Sequence, residues 1–217
     1  MHKYILLLTF LVPFTAFSQE SNLGNWLIYI GSKKLDNQWN IHHEVQYRNY
    51  DAIGDLEQLL LRTGLGKNLT DGNNNLLLGY GFIRSENYTS EEDKIVINEH
   101  RIFQQFITKQ SIGKLGLQHR YRFEQRFVED DFKLRFRYFL GISYPLTDQF
   151  YLSSYNEIFL NTFFFAYTVQ NAFDRHRLYG GLGYILSDRI KIELGYMNQF
   201  LINTNRDQIN ILGFFNF

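Results

Sequence analysis

The sequence contains no cysteine and only two prolines among its 217 residues. The absence of cysteine excludes disulfides, thiolate metal sites and the lipid-anchored lipoprotein class, whose signal needs a cysteine at the cleavage point. Because proline breaks β-ladders, its scarcity favours long strands. The formal net charge is zero, so the composition indicates no nucleic-acid partner. After the N-terminus, no segment approaches the ~18 apolar residues of a membrane-spanning helix.

Aromatic residues, by contrast, make up 18% of the chain, with 21 Phe and 15 Tyr, and they fit the pleated surface of a strand. The N-terminus reads "MHKYILLLTFLVPFTAFSQE", with Lys3 before a short apolar run and "AFS" before Gln19. This pattern predicts a secretory signal peptide over residues 1–18, followed by one β-barrel domain over 19–217. A buried N-terminal helix is the alternative interpretation.

The rest of the chain alternates between strand patterns and turns. Eleven segments of 11 to 14 residues have this character, and they exceed the ~5–6 residues typical of globular strands. The predicted segments are 24–35, 38–50, 57–68, 75–87, 95–107, 114–127, 132–144, 149–160, 174–185, 189–201 and 207–217. Single-chain bacterial barrels almost always have an even number of strands, so we expect about 10–12 strands. Either a strand is split or missed, most easily over 161–174, or the N-terminal segment 24–35 is not an ordinary wall strand.

The connections between these segments alternate in kind. Short ones carry turn residues, as in "LDNQ" (35–38) and "TDGNN" (70–74). Longer and more polar ones alternate with them, as in "YDAIGDLE" (50–57) and "NTFFFAYTVQNAFD" (161–174). This sorting is typical of outer-membrane barrels, which have short periplasmic turns and longer outer loops. A large soluble sandwich or lipocalin-like barrel remains the alternative.

The stretch "HRYRFEQRF" (119–127) illustrates how the strands divide into two faces. Arg120, Arg122, Glu124 and Arg126 fall on one face, and aromatic residues fall on the other. In a membrane barrel the apolar face meets lipid and the polar face lines the interior. The sequence therefore predicts an all-β, antiparallel transmembrane β-barrel located in the cell outer membrane.

The polar faces define a candidate site, an ionic network in the barrel interior. Its predicted members are Glu44, Arg62, Glu99, Arg101, Arg120, Arg122, Glu124, Arg126, Arg135, Arg137, Glu157, Arg175, Arg177 and Glu193. We expect Glu124 to pair with arginines of neighbouring strands, Arg101 and Arg137 above all. The network can serve as a paired structural filling, or an arginine-rich lining can select anions. No metal-binding spacing or nucleotide motif is present, so we expect no cofactor.

The C-terminal stretch "QINILGFFNF" (208–217) places Ile209, Ile211, Phe215 and Phe217 on one face. A last strand that ends in Phe resembles the assembly signal of bacterial outer-membrane barrels. The expected partners are therefore outer-membrane lipid and the barrel assembly machinery, and the sequence does not define an oligomeric state.

A lipid-active enzyme is a further hypothesis. Some outer-membrane lipid hydrolases place Ser, His and a carboxylate or Asn on the lipid-facing wall, and Ser154, Asn156 and His176 fall on predicted outer faces. Nucleophilic catalysis requires the base within hydrogen-bond reach of the hydroxyl, which spacing alone does not establish. A histidine near the membrane interface also serves as an anchor, so we do not predict an enzyme.

The stretches "HRYRFEQRF" (119–127), "YNEIF" (155–159) and "FDRHRLYGGLGYILSDRIKIELGYMNQF" (173–200), with an early Trp-containing strand, resemble the domain of unknown function 2490 family. The resemblance covers nearly the whole chain after the signal. It implies an outer-membrane β-barrel and supplies no activity or catalytic residue. The expected role is a structural or narrow-channel barrel, with a surface-binding protein and a lipid-modifying enzyme as alternatives.

Overall fold

A computed structural model describes residues 23–51, 54–69, 72–90, 92–162, 172–202 and 204–217. The predicted signal peptide and most of the 161–174 connection lie outside these residues. The described part is all-β and contains eleven strands. They are β1 Gly24–Lys34, β2 Trp39–Asn49, β3 Leu56–Asn68, β4 Asn74–Tyr88, β5 Lys94–Ile112, β6 Leu115–Val128, β7 Asp131–Pro145, β8 Phe150–Thr162, β9 Phe173–Ser187, β10 Ile190–Leu201 and β11 Asn205–Asn216. Each predicted segment corresponds to one of these strands, and within the described residues no helix is long and apolar enough to cross a membrane.

The strands form a single closed barrel in which each strand pairs with its neighbours in sequence. All pairs are antiparallel except the closing pair, in which β1 runs parallel to β11 from Gly24↔Gln208 to Ser32↔Asn216. An up-and-down path with an odd number of strands leaves its first and last strands pointing the same way, so their pairing has to be parallel. The expected barrel is confirmed, whereas the expectation of an even strand count is wrong.

The two ends of the barrel differ in their connections. At the end where β1 joins β2, called the turn end here, the reversals are tight; Asp36 accepts hydrogen bonds from the backbone N–H groups of Gln38 and Trp39, both at 2.7 Å. These two hydrogen bonds lower the pKa of Asp36. The opposite end, the loop end, carries connections such as 50–55 and 89–93. Because β1 ends at the turn end, its first residue, Gly24, lies at the loop end.

Exposure follows the predicted alternation. Leu78 and Leu194 point outward and are 59% and 57% exposed, whereas Arg122 and Glu124 point inward and are 1% and 0% exposed. The wall thus presents apolar side chains to the surroundings and encloses charged ones, the reverse of a soluble barrel.

Candidate functional site: the ionic interior of the barrel

Charged side chains fill the part of the interior bounded by β2 to β9. Of the predicted site residues, all are buried except Arg120, Arg126 and Arg175, which are partly exposed. They lie inside because the period-two pattern of each strand places alternate side chains on the inner face. Charges removed from water in this way require partners.

Glu124 on β6 binds two arginines of the adjacent strand β7. Its carboxylate accepts hydrogen bonds from Arg135 Nη2 at 2.6 Å and from Arg137 Nη1 at 2.8 Å. Arg137 is one of the two expected partners. The other, Arg101, lies opposite Arg126 across the β5–β6 pair, and both guanidinium groups bind Glu99 instead, Arg126 Nε at 2.6 Å. Register decides which arginine reaches which carboxylate.

Glu157 on β8 extends this network around the wall. It accepts hydrogen bonds from Arg137 Nη2 at 2.6 Å and from Arg120 Nη2 at 2.7 Å, and Arg177 Nη1 lies 3.8 Å away. Since Arg137 binds both Glu124 and Glu157, three neighbouring strands are tied into one ionic chain. On the far side, Arg62 Nη1 donates to Glu44 at 2.7 Å.

One predicted member lies apart from the arginines. Glu193 on β10 accepts hydrogen bonds from the hydroxyls of Tyr151 at 2.9 Å and Tyr179 at 3.3 Å. It stands nearer the turn end, where the interior is aromatic and no arginine of the described chain is within ion-pair distance of it. Glu193 is therefore bound by hydroxyl donors, and the structure does not bring it into the arginine network.

Two acidic residues that sequence reasoning missed enter the interior through β-bulges. The β8–β9 register shifts so that Phe159 faces Arg175 and Leu160 faces Phe173, which leaves Asp174 as the extra residue. Asp174 then accepts a hydrogen bond from Arg135 at 3.1 Å. Strict alternation would place this carboxylate outside. A bulge breaks the alternation and re-aims a side chain.

The second bulge lies where β2 meets β3. Arg48 faces Gln58 and Asn49 faces Leu56, so Glu57 is the extra residue. Its carboxylate accepts a hydrogen bond from Arg206 Nη1 at 2.5 Å, which links β3 to β11 at the loop end of the interior.

Arg48 is a further interior residue that the predicted network omitted, although it shares an inner face with Glu44. Its guanidinium donates to Gln46 Oε1 at 3.0 Å and to Gln58 Oε1 at 2.6 Å, and it stacks 3.7 Å from the ring centroid of Trp26. Arg48 is 6% exposed. No carboxylate among the described residues lies within 4.0 Å of it, so this buried cation has neutral partners only.

A cavity of about 40 Å³ lies among these arginines near the loop end. Its lining contains eight arginines together with Gln58 and Phe159. The arginines are Arg48, Arg62, Arg101, Arg126, Arg135, Arg137, Arg175 and Arg177. No acidic residue of the described chain lines it, because the carboxylates lie behind the guanidinium groups that they bind. The cavity is therefore a strongly electropositive enclosure.

The interior along β8 to β11 and β1 also contains an apolar cluster, which lies beside the buried amides of Gln199, Gln208 and Asn210. Trp26, Ile28, Tyr179, Met197 and Leu212 form one buried cluster. Towards the turn end, aromatic rings lie directly on inward-facing glycines: the ring of Phe103 covers Gly79 and that of Tyr179 covers Gly195, where a Cβ atom would meet it at 2.5 Å. Glycine is required there because no other residue leaves room for the ring.

Hydrogen bonds also brace the loop end outside the interior. Asp55, in the connection between β2 and β3, accepts a hydrogen bond from the Tyr88 hydroxyl at 2.9 Å and another from the Lys94 ammonium. Partial burial opposes ionisation of Asp55, but these two hydrogen bonds outweigh it and lower the pKa of this carboxyl group. The β2–β3 connection is thereby fixed to the β4–β5 hairpin.

The outward-facing residues of the enzyme hypothesis do not assemble. Ser154 pairs with Gly180 across β8 and β9, whereas His176 pairs with Ile158. The hydroxyl and the imidazole are thus four residues apart along the wall, about 13 Å at the rise of a strand. Ser154 Oγ donates to the backbone oxygen of Tyr179 at 2.8 Å, and the His176 ring stacks on Phe200.

Metal ligation was not predicted. Within the described ranges, no group of three or more His, Asp or Glu side chains is placed to hold a metal ion.

These features define a closed β-barrel with an apolar outer wall and an ionic interior. The chain belongs to the DUF2490 family of proteins of unknown function, whose sequence profile matches residues 23–210. The resemblance that the strand motifs indicate is thereby confirmed. No curated protein matches the chain in sequence.

Two solved structures, both of the outer membrane protein OmpT of Vibrio cholerae, are similar to this chain at low identity. The in-vitro folded form is 14% identical with a TM-score of 0.41, over 79% of this chain and 52% of that chain. The outer-membrane expressed form is 13% identical with a TM-score of 0.40, over 74% and 53%. The chain thus spans about half the length of these barrels.

Proposed function

We propose that the chain is an integral β-barrel of a bacterial outer membrane whose filled interior makes it a membrane-embedded scaffold rather than an open pore. The observation that carries the proposal is that apolar side chains are exposed and charged side chains are buried, the reverse of a soluble protein. Leu78 and Leu194 are more than half exposed, whereas Arg122 and Glu124 are buried. Such a wall is unfavourable in water and favourable in lipid, where closure also leaves no unpaired strand edge.

The dimensions of the wall agree with a membrane span. The described strands are 11 to 19 residues long, and a tilted transmembrane strand needs about 9–11 residues. Exposed aromatic side chains occur near both ends, with Phe217 and Tyr144 at the turn end and Tyr88 and Phe132 at the loop end. This arrangement corresponds to the two aromatic girdles of outer-membrane barrels, with the turn end towards the periplasm.

The interior supports a scaffold because little space is left for solutes. The ionic network ties β5 to β8 together inside the barrel, and the rings of Phe103 and Tyr179 lie directly on inward-facing glycines. An eight-stranded barrel is just wide enough for side chains to fill, and large buried side chains such as Arg122, Tyr179 and Phe103 occupy the interior of this wider one.

The location is tested by expressing the full chain in a Gram-negative host and separating the membranes. We expect the protein in the outer-membrane fraction, with an electrophoretic mobility that changes on heating because a folded barrel resists detergent. Recovery as a soluble periplasmic protein without detergent would contradict the proposal.

A second candidate, a narrow anion-selective channel, is favoured by the arginine-lined cavity. Reconstitution of the wild-type protein in a planar bilayer separates the two functions. A scaffold gives no steady single-channel steps. A channel gives steps whose anion preference falls when Arg135 and Arg137 are both replaced by Gln. Assembly through the C-terminal strand and surface binding through the 161–174 connection stay predictions.

A further inference from the structure

We propose that the arginine-lined cavity near the loop end is a binding site for a small oxyanion, a phosphate or sulfate group carried either free or at the end of a larger ligand. The proposed binding site is argued from the lining of the cavity alone. Only the statement that ligands reach it from outside the cell rests on the proposed membrane orientation.

The first argument is charge. Eight arginines line the cavity, and the carboxylates that bind them are Glu44, Glu99, Glu124, Glu157 and Asp174. The eight lining arginines outnumber these five carboxylates by three, and Glu157 is also bound by an arginine outside the lining, Arg120, so the enclosure keeps an excess of positive charge. Buried charge without compensation is strongly unfavourable, and a bound anion would supply the missing charge.

The second argument is unsatisfied donors. Arg48 contacts only neutral acceptors and the face of Trp26. Arg62, which also lines the cavity and is 7% exposed, has an Nε that donates no hydrogen bond to any described residue. Buried donors normally have acceptors, and oxyanions accept several planar guanidinium groups at once.

The third argument is size and access. About 10–15 Å³ of such space holds one water, so about 40 Å³ admits a few waters or one tetrahedral oxyanion. Arg175 is the most exposed arginine of the lining, with 26% of its side chain accessible, and it lies at the third position of β9, next to the loop end. The volume limits the ligand to the anionic group, and any larger body would remain outside.

Fluorescence gives a direct measurement, because Arg48 lies on the ring of Trp26. The chain has two tryptophans, and the outward-facing Trp39 can be replaced by Phe, which leaves Trp26 as the only tryptophan to be excited at wavelengths where tyrosine does not absorb. The folded full chain is titrated in neutral detergent with inorganic phosphate and, separately, with glucose 1-phosphate, against chloride at equal ionic strength. We expect saturable binding of phosphate that chloride does not reproduce.

Two variants and one control test the site. Arg48→Gln removes the unpaired cation, and Arg175→Gln removes the partly exposed one, which folding tolerates better. Each should weaken phosphate binding about tenfold or more, the value of one charge-assisted hydrogen bond. The control Arg84→Gln removes an arginine whose side chain is 45% exposed on the outer wall and should leave the affinity unchanged.

The two probes distinguish a free ion from a larger ligand. Binding of inorganic phosphate alone supports a free ion, and binding of both probes supports the terminal phosphate of a larger ligand. Absence of saturable binding to the heat-modifiable, folded protein would overturn the proposal, as would equal affinities in the wild type and in Arg175→Gln. A soluble or conducting protein would contradict the scaffold function but leave this measurement intact.

Discussion

Glu124 and Arg137 form a buried ion pair across β6 and β7, with 2.8 Å between Oε1 and Nη1 and with a carboxylate that is entirely excluded from solvent. The same carboxylate binds Arg135 through its other oxygen. Glu124 therefore compensates two almost fully buried guanidinium groups, and we expect the stability of the barrel to depend on it more than on any exposed pair.

Replacing Glu124 by Gln should destabilise the folded barrel by about 3–5 kcal/mol, because two buried arginines lose a counter-ion. Urea titration of the protein in lipid vesicles, followed by tryptophan emission, measures the unfolding midpoint. The matched control is Asp131→Asn, which breaks an ion pair with Lys133 in which the side chains are 71% and 50% exposed. That change should cost less than about 1 kcal/mol. Equal midpoints for the two variants would show that Glu124 is not a buried counter-ion.

The parallel closure of β1 on β11 can be tested by cross-linking, since the chain has no cysteine of its own. Leu27 faces Ile211 across this pair, so the double variant Leu27→Cys with Ile211→Cys should form a disulfide on mild oxidation. The bond would close a large loop and change the mobility of the denatured protein on a gel.

The control places the second cysteine one strand further. Leu194 pairs with Ile211 across β10 and β11, so Leu27 and Leu194 are about two strand spacings, or roughly 10 Å, apart. A disulfide does not span that distance. Efficient cross-linking of Leu27→Cys with Leu194→Cys, and none with Ile211→Cys, would mean that the barrel closes differently.

The alternation of polar and apolar residues was enough to predict the eleven strands and their inner faces, because successive side chains of a regular strand point to opposite faces of the sheet. The partners of Glu124 were not predictable in the same way. Arg101 and Arg135 both lie on the inner faces of strands next to β6, and the register brings only Arg135 to Glu124.

The position of Asp174 could not be predicted for a different reason. Its contact with Arg135 depends on a bulge at Phe159/Leu160, which no feature of the alternating pattern indicates. Arg48 was within reach of prediction, since it shares an inner face with Glu44, but its lack of an acidic partner emerges only from packing.

Close packing of Tyr179 on Gly195 predicts that Gly195→Ala destabilises the barrel by about 1–3 kcal/mol, because the added methyl group meets the ring at 2.5 Å. The control is Gly180→Ala, where nothing lies within 4 Å of the new atom and the midpoint should not fall. Combining Gly195→Ala with Tyr179→Leu should remove most of the penalty that the alanine adds, which identifies the ring as its cause. If the penalty were the same with and without the tyrosine, another contact would be responsible.

The last prediction concerns acid stability at the loop end. Asp55 has a lowered pKa in the folded protein, so its contacts with Lys94 and Tyr88 stabilise the ionised carboxylate more than the protonated acid. The stability that it contributes is fully present above its ordinary pKa of 3.8 and is lost as the pH falls below that value towards the lowered one. We therefore expect the difference in urea midpoint between the wild type and Asp55→Asn to be constant from pH 7 to pH 5 and to shrink below about pH 3.8. Tyr88→Phe, which removes one of the two donors to Asp55, should give a smaller difference with the same direction of pH dependence. A difference that grew on acidification would mean that Asp55 is bound more tightly when it is protonated, and the contact with Lys94 would then not be an ion pair.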